Sequence, residues 1–152
     1  MIAVLQRVNK ATLYADGVYT SEIAKGLHIL LGVAKGDEER DALALAEKIS
    51  KLRIFTDEND KMNLSVLDID GEVMVVSNFT LNANYAHGNR PDYLASAHPD
   101  EANRLYEYFV SEMKKRVRLC ATGVFGADMR TEMSSDGPVT IVMDSENLKK
   151  GK

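Results

Sequence analysis

The chain has 152 residues, 45% hydrophobic and 28% charged, which is ordinary for a soluble globular protein and enough for one domain, residues 1–152, whose core needs no staples. A single cysteine, Cys120, excludes an internal disulfide framework and a multi-cysteine zinc site, and no apolar run reaches the length of a membrane-spanning helix. The net charge of −4, with a pI near 5.4, argues against a protein that grips a nucleic-acid duplex along its length.

Residues 2 to 14 alternate and are rich in strand formers; Asp16-Gly17 and then Val18, Tyr19 and Thr20 predict a hairpin. The segment GLHILLGVAKG carries a short continuous apolar run between glycines, as expected of a strand buried on both faces. From about Glu38 to Leu52 the pattern turns helical, with Ala42, Leu45, Ala46, Ile49 and Leu52 at intervals of three and four. Asp70-Gly71, between LSVLDI and EVMVVSNFTL, predicts a second hairpin. Residues 82 to 97 lack periodicity and are rich in Asn, Gly, Pro and His, so they read as a long loop of the kind that is often functional. A helix should begin near Pro99 and bury Ala102, Leu105, Tyr106, Phe109, Val110, Met113 and Val117. The remainder, from Cys120 to Asp144, returns to strands and turns. In it Asp136-Gly137-Pro138 reads as a turn, with Pro138 opening the strand that follows. Strands with two principal helices make the fold class α+β, with a mixed, barrel-like sheet.

The common chemical constellations are missing. No phosphate-binding glycine loop is present, and His28, His87 and His98 lack metal-ligand spacing. His28 lies in an apolar strand and reads as a packed histidine. Ser77 and His87 could form a serine-hydrolase pair, but no nucleophile elbow accompanies them. Cys120 follows a helix end beside Arg118, yet without a base it reads as a small buried hydrophobe. The basic clusters, Lys114, Lys115, Arg116 and Arg118, then Lys149, Lys150 and Lys152, read as a solvated helix end and a frayed tail. In SNFTL, residues 77–81, alternation sets Asn78 and Thr80 on one face and Ser77, Phe79 and Leu81 on the other. A polar strand end before an irregular loop can be a site, but from this stretch alone ordinary strand-end polarity is the better explanation.

Taken together the segments are far more specific. MIAVLQRV, RIFTDENDKMNLSV, VVSNFTL, GNRPDY, LYEYFV, TGVFGADM and DGPVT, in this order and at these spacings, resemble the D-aminoacyl-tRNA deacylases, also called D-tyrosyl-tRNA deacylases, over essentially the whole chain. The signature stretches of that family, S-Q-F-T-L and N-x-G-P-V-T, stand here as Ser77–Leu81 and Ser135–Thr140, with Asn78 in place of glutamine and Ser135 in place of asparagine. The resemblance implies the fold of that family and a cytoplasmic, cofactor-free and metal-free homodimer. Its implied reaction is hydrolysis of the ester between a D-amino acid and the 3′-terminal adenosine of tRNA, with glycyl-tRNA as a secondary substrate; neither DNA nor membrane is a partner. It further implies that the Gly137-Pro138 peptide bond is cis and enters the partner's active site. There it would act as a backbone filter, accepting from the α-amino group of a D-substrate and excluding an L side chain. By position, Ser77, Asn78, Phe79 and Thr80 would line the catalytic pocket, Phe125 and Met129 would hold the adenine, and Arg7 would steady the Gly-Pro segment. Backbone amides at the end of SNFTL would stabilise the oxyanion while the ribose 2′-hydroxyl assists water, a mechanism that needs no His, Cys or carboxylate constellation. A related class with a trans Gly-Pro tolerates L-substrates; Phe79 and the intact G-P-V-T favour the D-selective class.

Overall fold

A computed structural model describes residues 1–149. Its organising element is β1, Ile2–Ala15, which turns at Asp16-Gly17 into β2, Val18–Ile23, as the hairpin signal predicts. Both turn residues have positive φ, 48° and 79°, which Asp tolerates and Gly adopts freely. The apolar run forms β3, Gly26–Gly32, antiparallel to the first half of β1. Helix α1, Glu39–Ser50, starts in a capping box in which the Glu38 and Asp41 side chains serve each other's backbone N–H. A small separate ribbon follows, β4 (Phe55–Thr56) with β5 (Met62–Leu64). Strand β6, Glu72–Ser77, runs parallel to β3 on one side and to β7, Cys120–Thr122, on the other. Between β6 and β7 lies α2, Pro99–Lys114, with Pro99 in its first turn as expected. The last long strand, β8 (Met129–Asp144), pairs antiparallel along the free edge of β1 and leads into a short α3, Ser145–Lys149.

This mixed sheet, order β2-β1-β3-β6-β7 with β8 also on β1, has a core on each face. Ala3, Leu5, Leu27, Ile29, Val73 and Val75 face α1 and α2. Val8, Met74 and Val76 point the other way, into the space enclosed by the curled ends of β1 and β8. An extra residue in β1, Asn9, sits between the pairs Val8↔Ser135 and Lys10↔Ser134. The bulge shifts the side-chain phase by one, so Ala11, Leu13 and Ala15 continue on Val8's face.

Three expectations are corrected. Asp70 does take positive φ, but LSVLDI is not the first arm of a hairpin: beyond Leu64 it folds into turns held by Asp68 on the Ser65 N–H and hydroxyl, each 2.7 Å. Pro138 does not open a strand. It lies inside the span of β8, where residues 136–139 bow out of the ladder between Ser135 and Thr140. Lys149 is not part of a frayed tail, because its ammonium lies 2.8 Å from the buried Asp41 carboxylate and also meets Glu146; Lys150 and Lys152 fall outside the described residues.

His28, on β3 between Gln6 and Met74, is 2% exposed, and neither ring nitrogen has a hydrogen-bond partner. Burial therefore favours the neutral ring and pushes its pKa down to about 4. In the unfolded chain the ring takes up a proton near pH 6.5. Below that pH the unfolded state binds the extra proton, so His28 costs stability progressively as pH falls from 6.5 to 4. Urea unfolding at pH 7 and pH 4.5 should show a stability loss roughly 2–3 kcal/mol greater for the parent than for His28→Leu. Equal losses would show that the ring is not buried neutral.

Candidate active site

Strand β6 ends at Ser77 between its two parallel neighbours, and a cleft of about 860 Å³ opens beyond that end. Carboxyl ends of parallel strands are where open sheets accept ligands, because the chain departs from the sheet there and leaves a crevice. The chain leaves β6 by a sharp move. Asn78 donates its N–H to the Leu31 carbonyl at 2.8 Å, and Phe79–Asn82 then wind into one 3₁₀ turn. The Asn78 side chain caps that turn, accepting from the Thr80 N–H at 3.2 Å and from the Thr80 hydroxyl. Asn82, buried, donates to the Val33 carbonyl at 3.0 Å and ties the turn to the end of β3. A Cβ at Gly32 would stand 3.0 Å from the Asn78 carbonyl oxygen, so glycine is what lets strand and turn approach.

Ser77, Asn78, Phe79, Phe125 and Met129 all line the cleft, which brings together five sequence-predicted residues from two well-separated segments of the chain. Thr80 stands on the 3₁₀ turn outside the lining, its hydroxyl committed to Asn78. The Phe79 N–H, at the head of the turn, donates to no protein group among the described residues. The Phe79 carbonyl accepts from Ser96 Oγ at 3.1 Å, and its ring, 58% exposed, packs edge-on against Tyr93 with centroids 5.0 Å apart. Also on the wall, the Phe125 ring lies 6.1 Å from that of Tyr106, whose hydroxyl donates to the Val75 carbonyl at 2.8 Å. Burial pushes that phenol's pKa well up. Gly123 leaves room for the Met129 sulphur, which a Cβ there would overlap.

The cleft holds little acid–base equipment. Among the described residues, Lys35, Tyr93, His98 and Tyr106 are the titratable side chains on its wall, with no carboxylate beside them. His87 does not line it and makes no hydrogen bond to Ser77, so no serine-hydrolase pair is assembled. Cys120 is half-buried against the core rather than fully buried, and burial pushes its thiol pKa up to about 11, away from the thiolate form. Among the described residues no three His, Cys, Asp or Glu side chains converge as metal ligands.

Arg7, Gly137 and Pro138 lie away from this cleft. Arg7, 8% exposed, donates from Nε to the Asp136 carbonyl at 3.2 Å, pairs with the Asp136 carboxylate at 3.1 Å, and donates from Nη1 to the Ile54 carbonyl at 2.8 Å. The segment it holds presents Gly137 and Pro138 to solvent; their peptide bond is cis and Gly137 has φ +126°. Lys35, Tyr93, Leu94, His98 and Tyr106 were not singled out from sequence as site residues. Tyr93 and Tyr106 lie inside the stretches GNRPDY and LYEYFV, and Tyr106 also in the α2 stripe, but neither segment by itself points to a cleft; Lys35, Leu94 and His98 carry no such signal.

The family model for D-Tyr-tRNA(Tyr) deacylase matches residues 4–144. The chain is 51% identical over 148 residues to the D-aminoacyl-tRNA deacylase of Sulfurihydrogenibium sp., covering 97% of this chain and all of that one. It is 49% identical to the Flavobacterium johnsoniae protein of the same name, covering 97% and 99%. Among solved structures it matches the c-Myc DNA Unwinding Element Binding Protein with a TM-score of 0.89 at 36% identity, over 95% of this chain and 98% of that one. A probable eukaryotic D-amino acid tRNA deacylase shares the fold, with a TM-score of 0.79 at 15% identity over 93% and 97%.

The Tyr106 hydroxyl bond bears on the stability of the cleft wall. Tyr106→Phe leaves the Val75 carbonyl without its side-chain donor, and should lower stability by about 1–2 kcal/mol in urea unfolding. An unchanged midpoint would mean that another donor replaces it.

Proposed function

The chain belongs to the D-Tyr-tRNA(Tyr) deacylase family, and on that footing we propose that it hydrolyses the ester of D-aminoacyl-tRNA to free D-amino acid and tRNA, a proofreading step of translation in the cytoplasm. The observation that carries the chemistry is the Phe79 N–H, without a partner among the described residues, at the cleft-lining point where β6 breaks into its 3₁₀ turn. An ester carbonyl placed there develops an oxyanion against a main-chain donor already oriented and costing no reorganisation. With no carboxylate on the wall and the Thr80 hydroxyl held by Asn78, the attacking water takes its assistance from the substrate's own ribose 2′-hydroxyl. Phe125 and Met129, on the wall of the same cleft, accept the terminal adenine. Asn78 works here as the cap of the turn, a role its short side chain performs with local bonds, so the departure from glutamine does not remove the donor.

Chirality is selected by a second copy. Gly137 and Pro138 are exposed and stand clear of their own chain's cleft, so they can act on a substrate only from a partner. In the homodimer the segment clamped by Arg7 enters the neighbouring cleft. There its carbonyls accept from the α-amino group of a D-residue and leave no room for an L side chain. Glycine has no side chain to exclude, which makes glycyl-tRNA a second substrate. Phe79 and Leu94, 58% and 75% exposed at the cleft mouth, are apolar surface that such a partner covers.

Sedimentation equilibrium should return twice the 16.8 kDa chain mass. D-tyrosyl-tRNA should be hydrolysed and L-tyrosyl-tRNA left intact at equal enzyme, with no change on adding a chelator; release from neither ester would end the deacylase reading. Thr80→Ala should keep kcat/KM within about tenfold, whereas loss of a catalytic base or nucleophile would cost 10²–10⁴-fold or more, roughly. In Gly137→Ala the new Cβ would lie 2.8 Å from the Val139 nitrogen and 3.3 Å from Arg7 Nη2, at a φ that L residues rarely adopt. Displacing the filter in this way should lower kcat/KM for the D-ester by about 10²-fold. Full activity would detach Gly137 from the site.

A further inference from the structure

A second, smaller cleft of about 330 Å³ lies between α2 and the chain after β7, and it shares two walls with the first, Tyr106 and Phe125. We propose that this cleft seats the penultimate cytidine of the substrate's 3′ strand, an inference that rests on the terminal adenosine lying against Phe125 and Met129. Every mature tRNA ends in C-C-A, so the nucleotide joined to the adenosine is a cytidine. The two clefts meet at the paired rings of Tyr106 and Phe125, which places the next nucleotide one aromatic wall away from the adenine. Phe125 thus offers an apolar surface to each cleft, and single-stranded bases bind by such contacts.

The polar lining suits that nucleotide. Glu107 presents a carboxylate, which accepts from the exocyclic N4 amine of cytosine and has nothing to accept from uracil's O4. Asn103 adds an amide donor for the ring's acceptor edge; its present bond to Glu107, at 3.5 Å, is long enough to yield. Lys114 lies seven residues beyond Glu107 on α2, about 10 Å along the axis. That distance carries it from the base edge to the phosphate on the 5′ side. The basic cluster around it is otherwise neutralised: Lys115 pairs with Glu112, Arg116 with Glu112 and Glu47, and Arg118 with Asp70 and Glu72. Lys114 makes no ion pair among the described residues and lines the cleft. Among the described residues, the cation of the cluster that is left without an ion pair therefore stands where an RNA strand leaving the adenosine site has its next backbone charge.

The test compares D-tyrosyl esters of adenosine, pUpA and pCpA, with D-tyrosyl-tRNA as reference. For the parent enzyme kcat/KM should rise about tenfold from adenosine to pCpA, with pUpA clearly below pCpA. Lys114→Ala should remove most of the gain and lower the salt slope by roughly 0.7, one single-strand phosphate. Glu107→Gln, whose amide can donate to uracil O4, should abolish the preference for pCpA over pUpA. Both variants should hydrolyse the adenosine ester like the parent, which also reports their folding. A pCpA ester no better than the adenosine ester, a gain that survives both substitutions, or equal losses on all esters would overturn the proposal. If D-tyrosyl-tRNA itself is not hydrolysed, the deacylase reading fails, and this one with it.

Discussion

One residue of β1, Arg7, stands opposite four of β8. The ladder pairs Gln6 with Thr140 and Val8 with Ser135, so residues 136–139 have no strand partner, and the Arg7 guanidinium occupies the gap. A bowed segment in mid-strand loses its ladder bonds and must be held by side chains or swing freely. Arg7 holds it through a carbonyl and a carboxylate of Asp136, and is itself anchored on the opposite side by the Ile54 carbonyl. A nearly buried guanidinium is tolerable because these partners satisfy it. The rest of β8, paired on both sides of the bow, fixes where the exposed Gly137 and Pro138 stand.

The same strand positions the cleft. β1 carries β3, β3 carries β6, and β6 carries β7, so the place where β6 ends is set through two registers of the sheet. At that end the chain turns sharply because Gly32 lets it pass close to β3, and because Asn78 and Asn82 replace strand bonds with side-chain bonds. What emerges is a main-chain donor on a rigid element, with aromatic walls supplied by α2 and the loop after β7. Oriented main-chain dipoles can supply much of the stabilisation that other hydrolases derive partly from titrating side chains. On the proposed mechanism, a cleft wall with no carboxylate among the described residues is sufficient.

Elements whose signal is local were legible in the sequence. The stripes of α1 and α2, the Asp16-Gly17 hairpin and Pro99 at a helix start each depend on residues within a few positions. Asp70-Gly71 shows the limit: the chain does turn there, with Asp70 at positive φ, but whether a strand precedes it depends on Asp68 capping Ser65, which competes with extended structure and wins. Pro138 misled for a different reason. The rule that proline avoids strand interiors assumes a continuous ladder, and here the ladder is interrupted around it by a partner 130 positions away. The resemblance points to Ser77, Asn78, Phe79, Phe125 and Met129, which the fold gathers around one cleft. Lys35, His98 and Leu94 reach the cleft only through tertiary packing, and nothing local distinguishes them. Lys149 carries the same lesson, since its partner Asp41 belongs to the other end of the chain.

Charge is where the bulk numbers and the structure meet. An acidic protein acting on a polyanion must keep its carboxylates from repelling the substrate where they meet. Here much of the acidic surface is spent on ion pairs: Glu39 and Glu101 with Arg104, Glu112 with Lys115 and Arg116, Asp70 and Glu72 with Arg118. Lys35 on the first cleft and Lys114 on the second make no such pair among the described residues. Within a Debye length of about 8–10 Å a substrate end responds to these local charges rather than to the net −4. The overall charge therefore limits how much RNA the protein can hold without opposing how well it holds the last nucleotides. A substrate recognised at one chemical end, through a few apolar and main-chain contacts, is what such a surface can accept.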